Sequence, residues 1–187
     1  MKAFLVAISI LLLLATILLL WWKNLEMTKD GFGQGQSTEK FDINRGFLQV
    51  AIKLSDEEIG RKINEASGCR IIQSTLIKKE KSGKIRNIIY ERIMEIDVAG
   101  NKRQIKVRDE SKANVREGWI ENHTYQIEPD DVVRNHQSYT KFSKATLGTH
   151  VEMRSSVEIK GIPTLFVSQG VKSGLGKSRT EMIRQLE

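Results

Sequence analysis

Apolar and polar residues alternate with a period of two through the middle of this chain. The clearest example is His150 to Lys160, HVEMRSSVEIK, in which small or apolar residues alternate with residues that are mostly charged. Similar β-branched runs, separated by glycine-containing or proline-containing turns, precede it from Arg70 onward. Such alternation is typical of antiparallel strands with one face in water and one face covered. The sequence therefore predicts about six antiparallel strands in this region.

The period becomes helical after Gly161. Apolar or small residues recur every three or four positions, which predicts one continuous helix from about Pro163 to the C-terminus. Proline is favourable in the first turn of a helix. The residues of this stripe are Val167, Val171, Leu175, Ser178, Met182 and Leu186. We expect the helix to cover the apolar face of the sheet.

Inside this predicted helix, the stretch GLGKS, Gly174 to Ser178, resembles the end of a phosphate-binding loop. A Walker A loop requires its first glycine at position 171, where the chain has valine, and Gly170 comes one residue too early. A helix is the better interpretation. Gly170 and Gly174 would then share one face, where the helix could approach another backbone or a ligand closely.

Two further elements are predicted before the sheet. Phe47 to Leu54, FLQVAIKL, has the composition of a strand. Ser55 can cap a short amphipathic helix, since Glu58 follows three residues later and Ser67-Gly68 ends the pattern. The sequence therefore predicts a strand followed by a short helix.

The N-terminal region has a different composition. Ala3 to Trp22 contains no charged residue, and a helix of this length would span roughly 30 Å, the thickness of a bilayer core. This predicts a single-pass transmembrane signal-anchor in residues 1–23. The numbers of Lys and Arg on the two sides of this segment favour a cytoplasmic position for the residues that follow it. Residues 24–45, which include GFGQGQ, are predicted as a flexible linker. Residues 46–187 would form the folded domain.

Composition restricts the chemistry further. The formal net charge is +7, and the single cysteine, Cys69, excludes an internal disulfide and a cysteine-based zinc site. The three histidines, His123, His136 and His150, do not have the spacing of metal ligands, so we predict no metal and no cofactor. His123 and Glu121 share a strand face and could act as an acid–base pair. No catalytic residue is assigned, and an enzymatic function is not expected.

One hairpin concentrates positive charge around the turn at Ser82-Gly83. The turn could simply be solvated, or it could contact anionic lipid headgroups. Nucleic acid is not predicted as a partner, because stacking platforms need several aromatic residues and only Tyr90 is near. The predicted membrane-surface residues are Lys78, Lys79, Lys81, Lys84 and Arg86.

The chain has a late strand at Gly148 to Lys160 and a long last helix from Pro163 to Glu187. This order of elements resembles that of the START-like superfamily, which is also called SRPBCC, polyketide cyclase/dehydrase-like or helix-grip. The resemblance implies an α+β fold in which a curved antiparallel sheet packs on the long C-terminal helix around an apolar cavity. It covers roughly residues 47–187.

The resemblance also implies a function, namely binding of an apolar ligand such as a lipid or quinone by a membrane-anchored carrier or sensor. Membrane lipids and a membrane protein are further expected partners. The alternative is a structural or assembly subunit of an envelope complex that acts through protein–protein contacts. The predicted cavity-lining residues are Trp119, Tyr125, Met153, Val157, Leu165, Val171 and Leu175.

Overall fold

The structure is a computed structural model that describes residues 9–19 and 27–187. Residues 9–19 form a helix, α1. The other elements follow in chain order: β1 (Phe32–Ile43), α2 (Phe47–Leu54), α3 (Glu57–Ala66), β2 (Cys69–Ser82), β3 (Ile85–Val98), β4 (Asn101–Asn114), β5 (Trp119–Gln126), β6 (Val133–Ala145), β7 (Gly148–Lys160) and α4 (Thr164–Leu186).

The seven strands form one sheet in the order β1-β7-β6-β5-β4-β3-β2, and every neighbouring pair is antiparallel. Strands β2 to β7 follow one another as hairpins, while β1 joins the sheet beside β7. Helix α4 packs on one face, called here the inner face, and its contacts are mainly with β1 and α3. The predicted α+β architecture, an antiparallel sheet packed on a long C-terminal helix, is confirmed.

Two glycines of GFGQGQ, Gly33 and Gly35, belong to β1 and not to a flexible linker, which corrects the sequence prediction for residues 32–43. A Cβ on Gly33 would lie 1.9 Å from the carbonyl oxygen of Ile162, and one on Gly35 would lie 2.7 Å from Val167. Gly33 and Gly35 are two residues apart and therefore lie on the same, inner face, where the absence of side chains leaves room for α4. Composition typical of a tether therefore serves close packing between a strand and a helix.

Residues 47–54 form helix α2 and not the predicted strand. Phe47 and Val50 are buried three residues apart, which is the spacing of one face of a helix. A short apolar run such as this one also fits a strand, so the pattern alone does not decide between the two. Helix α3 follows as predicted, but its cap is Asp56, which accepts a hydrogen bond from the Glu58 amide, whereas the predicted cap Ser55 ends α2. Two short helices therefore separate β1 from β2.

Two apolar clusters lie between the inner face and the helices. One lies under α2 and the C-terminal half of α4 and includes Phe142, Val151 and Leu186, while the other lies under the N-terminal half of α4 around Val107 and Val157. GLGKS is helical, and the buried Ser178 hydroxyl donates to the carbonyl oxygen of Ile63 on α3. The predicted stripe of α4 is confirmed as its packed face.

The predicted transmembrane segment is not found in the described part of the chain. Helix α1 covers residues 9–19 there, about 16 Å at 1.5 Å per residue, roughly half of a bilayer core. Among residues 9–19 and 27–187, no helix is long and apolar enough to cross a membrane. The prediction of a single-pass membrane localisation is therefore wrong on this finding. Residues 3–8 and 20–22 of the predicted span lie outside the described residues.

Candidate ligand cavity

A cavity of about 650 Å³ separates the inner face of the sheet from α3 and α4. It lies mainly beside the second apolar cluster, where α4 leaves the sheet uncovered toward β2 and β3. Phe166 lines the cavity and is 51% exposed, so the cavity reaches the surface near the start of α4. Its apolar wall includes Met94, Ile96, Val157, Val167, Val171 and Leu175.

Four of the seven predicted lining residues, Met153, Val157, Val171 and Leu175, do line this cavity. Leu165 on α4 is not among the lining residues. Whether the four side chains contact a ligand stays a prediction.

The two predicted aromatic residues lie away from the cavity. Trp119 precedes Ile120, whose side chain packs in the core, so the indole lies on the opposite, outer face, where it donates a hydrogen bond to Glu117. The Tyr125 hydroxyl donates to the Glu110 carboxylate at 2.8 Å, and this bond raises the pKa of Tyr125. Neither ring lines the cavity, because the phase of β5 directs both of them outward.

Polar side chains form a second part of the cavity wall. Asp109, Thr124 and Ser138 lie directly opposite one another on β4, β5 and β6, so their side chains leave the sheet on the same face. Arg92 on β3 forms an ion pair with Asp109, and all four residues line the cavity. The cavity is therefore apolar along α4 and polar across the middle of the sheet.

His136 enters this wall through a β-bulge. Asn135 and His136 together lie opposite the single residue Val157, because the register of β6 against β7 shifts between Arg134 and Gln137. Asn135 has a φ of 55°, a left-handed conformation that asparagine tolerates better than most residues. The extra residue reverses the alternation of β6, so that both Val133 and His136 are buried on the inner face.

The side chain of Gln126 on β5 holds the bulge in place. Its amide nitrogen donates to the carbonyl oxygen of Val133 at 3.0 Å, and its amide oxygen accepts from the backbone nitrogen of His136 at 3.3 Å. These two bonds join the side chain to backbone groups on both sides of Asn135, the left-handed residue of the bulge. The orientation of His136 is therefore fixed by a neighbouring strand.

The imidazole of His136 is buried, and burial disfavours a positive charge on the ring. It is 8% exposed, and its Nδ1 is buried without a hydrogen-bond partner among the described residues. Burial lowers the pKa of His136 from 6.5 to about 4. The ring is therefore neutral at physiological pH, with one nitrogen able to donate a hydrogen bond and the other able to accept one.

This burial predicts an acid-sensitive stability. Between about pH 6.5 and pH 4 the unfolded chain binds a proton at residue 136 that the folded chain does not, so stability should fall as the pH is lowered through this window. We expect urea unfolding of His136→Phe to lack this part of the pH dependence. Carboxylates titrate in both proteins, so the difference between the two pH profiles isolates residue 136. Parallel profiles would contradict the assignment.

The sequence did not single out Arg92, Asp109 or His136 as a polar wall. Arg92 and His136 are 44 positions apart, and only the successive pairing of strands β3, β4, β5 and β6 brings these residues to one cavity. In a regular strand His136 would share a face with Arg134, and the bulge removes that relation. The left-handed Asn135 was the one local signal, since asparagine is enriched at such positions.

The candidate acid–base pair, His123 and Glu121, lies outside the cavity. His123 is exposed next to Tyr125 on the outer face, and Glu121 pairs with Lys141 at 2.7 Å. Cys69 lines the cavity edge, and burial raises the pKa of its thiol.

The basic residues of the β2–β3 hairpin are exposed at its tip, where Lys78 pairs with Glu80 at 2.8 Å. Four apolar side chains, Ile72, Leu76, Ile77 and Ile85, are exposed in the same hairpin. Contact of Lys78, Lys79, Lys81, Lys84 and Arg86 with an anionic surface stays a prediction.

Neither a protein-family model nor a curated protein sequence matches this chain. Its structure is similar to the di-domain ARO/CYC StfQ from the steffimycin biosynthetic pathway, with 12% sequence identity and a TM-score of 0.52. That match covers 82% of this chain and 50% of StfQ, so this chain spans half the length of that protein.

Two single-domain matches cover nearly the whole of the other protein. A protein from Thermus thermophilus has 12% identity and a TM-score of 0.51, covering 82% of this chain and 96% of its own. A START superfamily protein from Mycobacterium smegmatis has 8% identity and a TM-score of 0.50, covering 81% and 96%. The chain therefore has the fold of START and polyketide aromatase/cyclase-type domains.

Proposed function

We propose that this chain binds an apolar small molecule in the cavity between the sheet and α4, and acts as a carrier or sensor of that molecule. The observation that carries the proposal is the cavity of about 650 Å³ with an apolar wall along α4. Ligand sites in proteins typically measure about 300–1,000 Å³ and are mostly apolar with a few polar groups. A close-packed core of the same size would leave no such volume.

One glycine of α4, Gly170, supports this proposal. Gly170 lines the cavity, and a Cβ there would meet no atom within 4 Å, so the helix presents bare backbone to open space. Glycine inside a helix costs about 1 kcal/mol relative to alanine. Packing against protein does not explain Gly170, whereas Gly33, Gly35 and Gly174 all lie close to another backbone. A bound molecule at this position would explain it.

The comparisons add support at the level of the fold. StfQ is described as an ARO/CYC from a biosynthetic pathway, and the mycobacterial protein as a member of the START superfamily. In this chain the same arrangement of sheet and terminal helix surrounds a cavity that opens beside Phe166. A carrier or sensor needs such an opening, because its ligand must enter and leave.

A matched pair of helix variants tests the proposal. We expect Gly170→Leu to fill the cavity and to weaken binding of the apolar dye N-phenyl-1-naphthylamine by about tenfold or more, since four carbon atoms would occupy the ligand volume. Gly176→Leu is the control, because Gly176 is also in α4, also meets no atom within 4 Å, and does not line the cavity. Both changes raise helix propensity, so only their positions relative to the cavity differ.

Dye fluorescence of the purified full chain gives the affinities, and mass spectrometry of its organic extract identifies a molecule retained from the cell. A stoichiometric apolar compound that is absent from the Gly170→Leu variant would support the proposal. Wild-type protein that takes up no dye and retains no compound would refute it. The alternative function, an assembly subunit working through protein contacts, would then be preferred.

A further inference from the structure

We propose that the His136 imidazole is the polar subsite of the cavity, where it hydrogen-bonds a neutral hydroxyl or carbonyl group of the bound molecule. The ligand would thus be an uncharged apolar compound with one polar group, and not a fatty acid anion. This inference rests on the proposed function and specifies the chemistry of its ligand.

The His136 imidazole faces the cavity and leaves one ring nitrogen without a protein partner among the described residues. Its side chain lines the cavity, and its Nδ1 is buried with no hydrogen bond to any described residue. Such an unsatisfied group destabilises a fold, and replacing it with an apolar side chain of similar shape is often neutral or stabilising. A ligand group that reaches Nδ1 and hydrogen-bonds it would remove this cost in the bound state.

The local backbone is irregular where it presents this ring. A regular β6 would direct His136 to the outer face, and the bulge with its left-handed Asn135 directs it to the cavity. The Gln126 side chain then bonds both sides of the bulge. Bulges are frequent beside functional sites, where they re-aim a side chain. The arrangement places one hydrogen-bonding ring at the cavity wall, next to the polar residues that cross the middle of the sheet.

The charged side chains of the cavity wall disfavour an anionic ligand. The guanidinium group of Arg92 lines the cavity and already pairs with the Asp109 carboxylate, whereas the side chain of Arg154 lies on the outer face, where it pairs with Glu152. Arg92 also donates to the Ser74 hydroxyl at 3.2 Å. A ligand carboxylate beside His136 would lose its hydration without gaining an unpaired cation, and the Asp109 carboxylate would repel it. A neutral polar group avoids both penalties.

Three probes of equal chain length separate these contributions. Dodecanol, dodecanoate and dodecane differ only in the end group, and each can displace N-phenyl-1-naphthylamine from the full chain. For the wild-type protein we expect dodecanol to bind about tenfold more tightly than dodecane and also more tightly than dodecanoate. In His136→Phe the preference for dodecanol over dodecane should disappear while uptake of the dye persists. In His136→Gln, which retains a donor and an acceptor, part of the preference should return.

The stability of the same variants distinguishes a binding role from a structural one. Because the ring has no protein partner, His136→Phe should unfold at an equal or higher urea concentration than wild type at neutral pH. A destabilised His136→Phe that loses all three probes equally would mean a structural role and overturn the inference.

Tightest binding of dodecanoate by the wild-type protein would overturn the neutral-ligand inference, and so would an alcohol preference that survives in His136→Phe. Wild-type protein that binds neither the dye nor any of the three probes would instead refute the proposed function itself. The two failures are therefore distinguishable.

Discussion

Gly33→Ala is expected to destabilise the fold by about 3 kcal/mol, the upper part of the range for overpacking a filled site. The added methyl group would lie 1.9 Å from the carbonyl oxygen of Ile162 and 2.7 Å from the amide nitrogen of Thr164. Both are backbone atoms at the start of α4, so no side-chain rotation can relieve the overlap. Either β1 must separate from the sheet edge or α4 must move away from it. Urea unfolding of the full chain measures the change.

Gly60→Ala is the matched control for this measurement. Gly60 lies inside α3, and a Cβ there would meet nothing within 4 Å, so alanine should stabilise the chain by up to about 1 kcal/mol. The two variants make the same chemical change with opposite expected signs. A Gly33→Ala protein as stable as wild type would show that α4 does not lie against β1 at this distance.

Phe142→Ala is expected to cost about 3–5 kcal/mol of stability, the usual range for removing a buried phenylalanine. Phe142 is 1% exposed on β6 and lies opposite Ile120 and Val151. It belongs to the apolar cluster under α2 and the C-terminal half of α4. The truncation leaves a hole in the one region that α2, α4 and the sheet share. The thermal midpoint should fall, and the unfolding midpoint in urea should fall with it.

A neighbouring apolar residue supplies the comparison for Phe142. Leu147 lies in the turn between β6 and β7 and is 88% exposed, so Leu147→Ala should change stability by no more than about 0.5 kcal/mol. A small effect of Phe142→Ala, similar to that of Leu147→Ala, would mean that this part of the core is not packed as described.

The strands from β2 to β7 and the helix α4 were predictable because their signals are local. Alternation with period two shows a half-covered strand, and a three-to-four spacing shows a helix face, without reference to any other part of the chain. The stripe from Val167 to Leu186 therefore appeared in the sequence almost as it packs. The prediction that Trp119 and Tyr125 line the cavity was wrong for a related reason. Alternation groups residues by face but does not say which face is covered when both are partly apolar.

The N-terminal half of the fold was harder to predict. Phe47 to Leu54 fits a strand and a helix equally well as a short apolar run, and its docking against β6 and α4 selects the helix. The composition of GFGQGQ is that of a linker, yet Gly33 and Gly35 leave the space in which β1 lies against α4. That approach joins residues more than 120 positions apart, so no local signal could reveal it.

By itself, the sequence determined the class of this protein: a set of antiparallel strands with one covered face, and a long last helix able to cover it. These features follow from side-chain periodicity, which each segment carries within itself. Only the tertiary structure decided where the helix leaves the sheet and opens a cavity, and which polar groups face that cavity. His136 faces it because a single extra residue in β6 shifts the register against β7. Register is a property of two strands together, and neither strand encodes it alone.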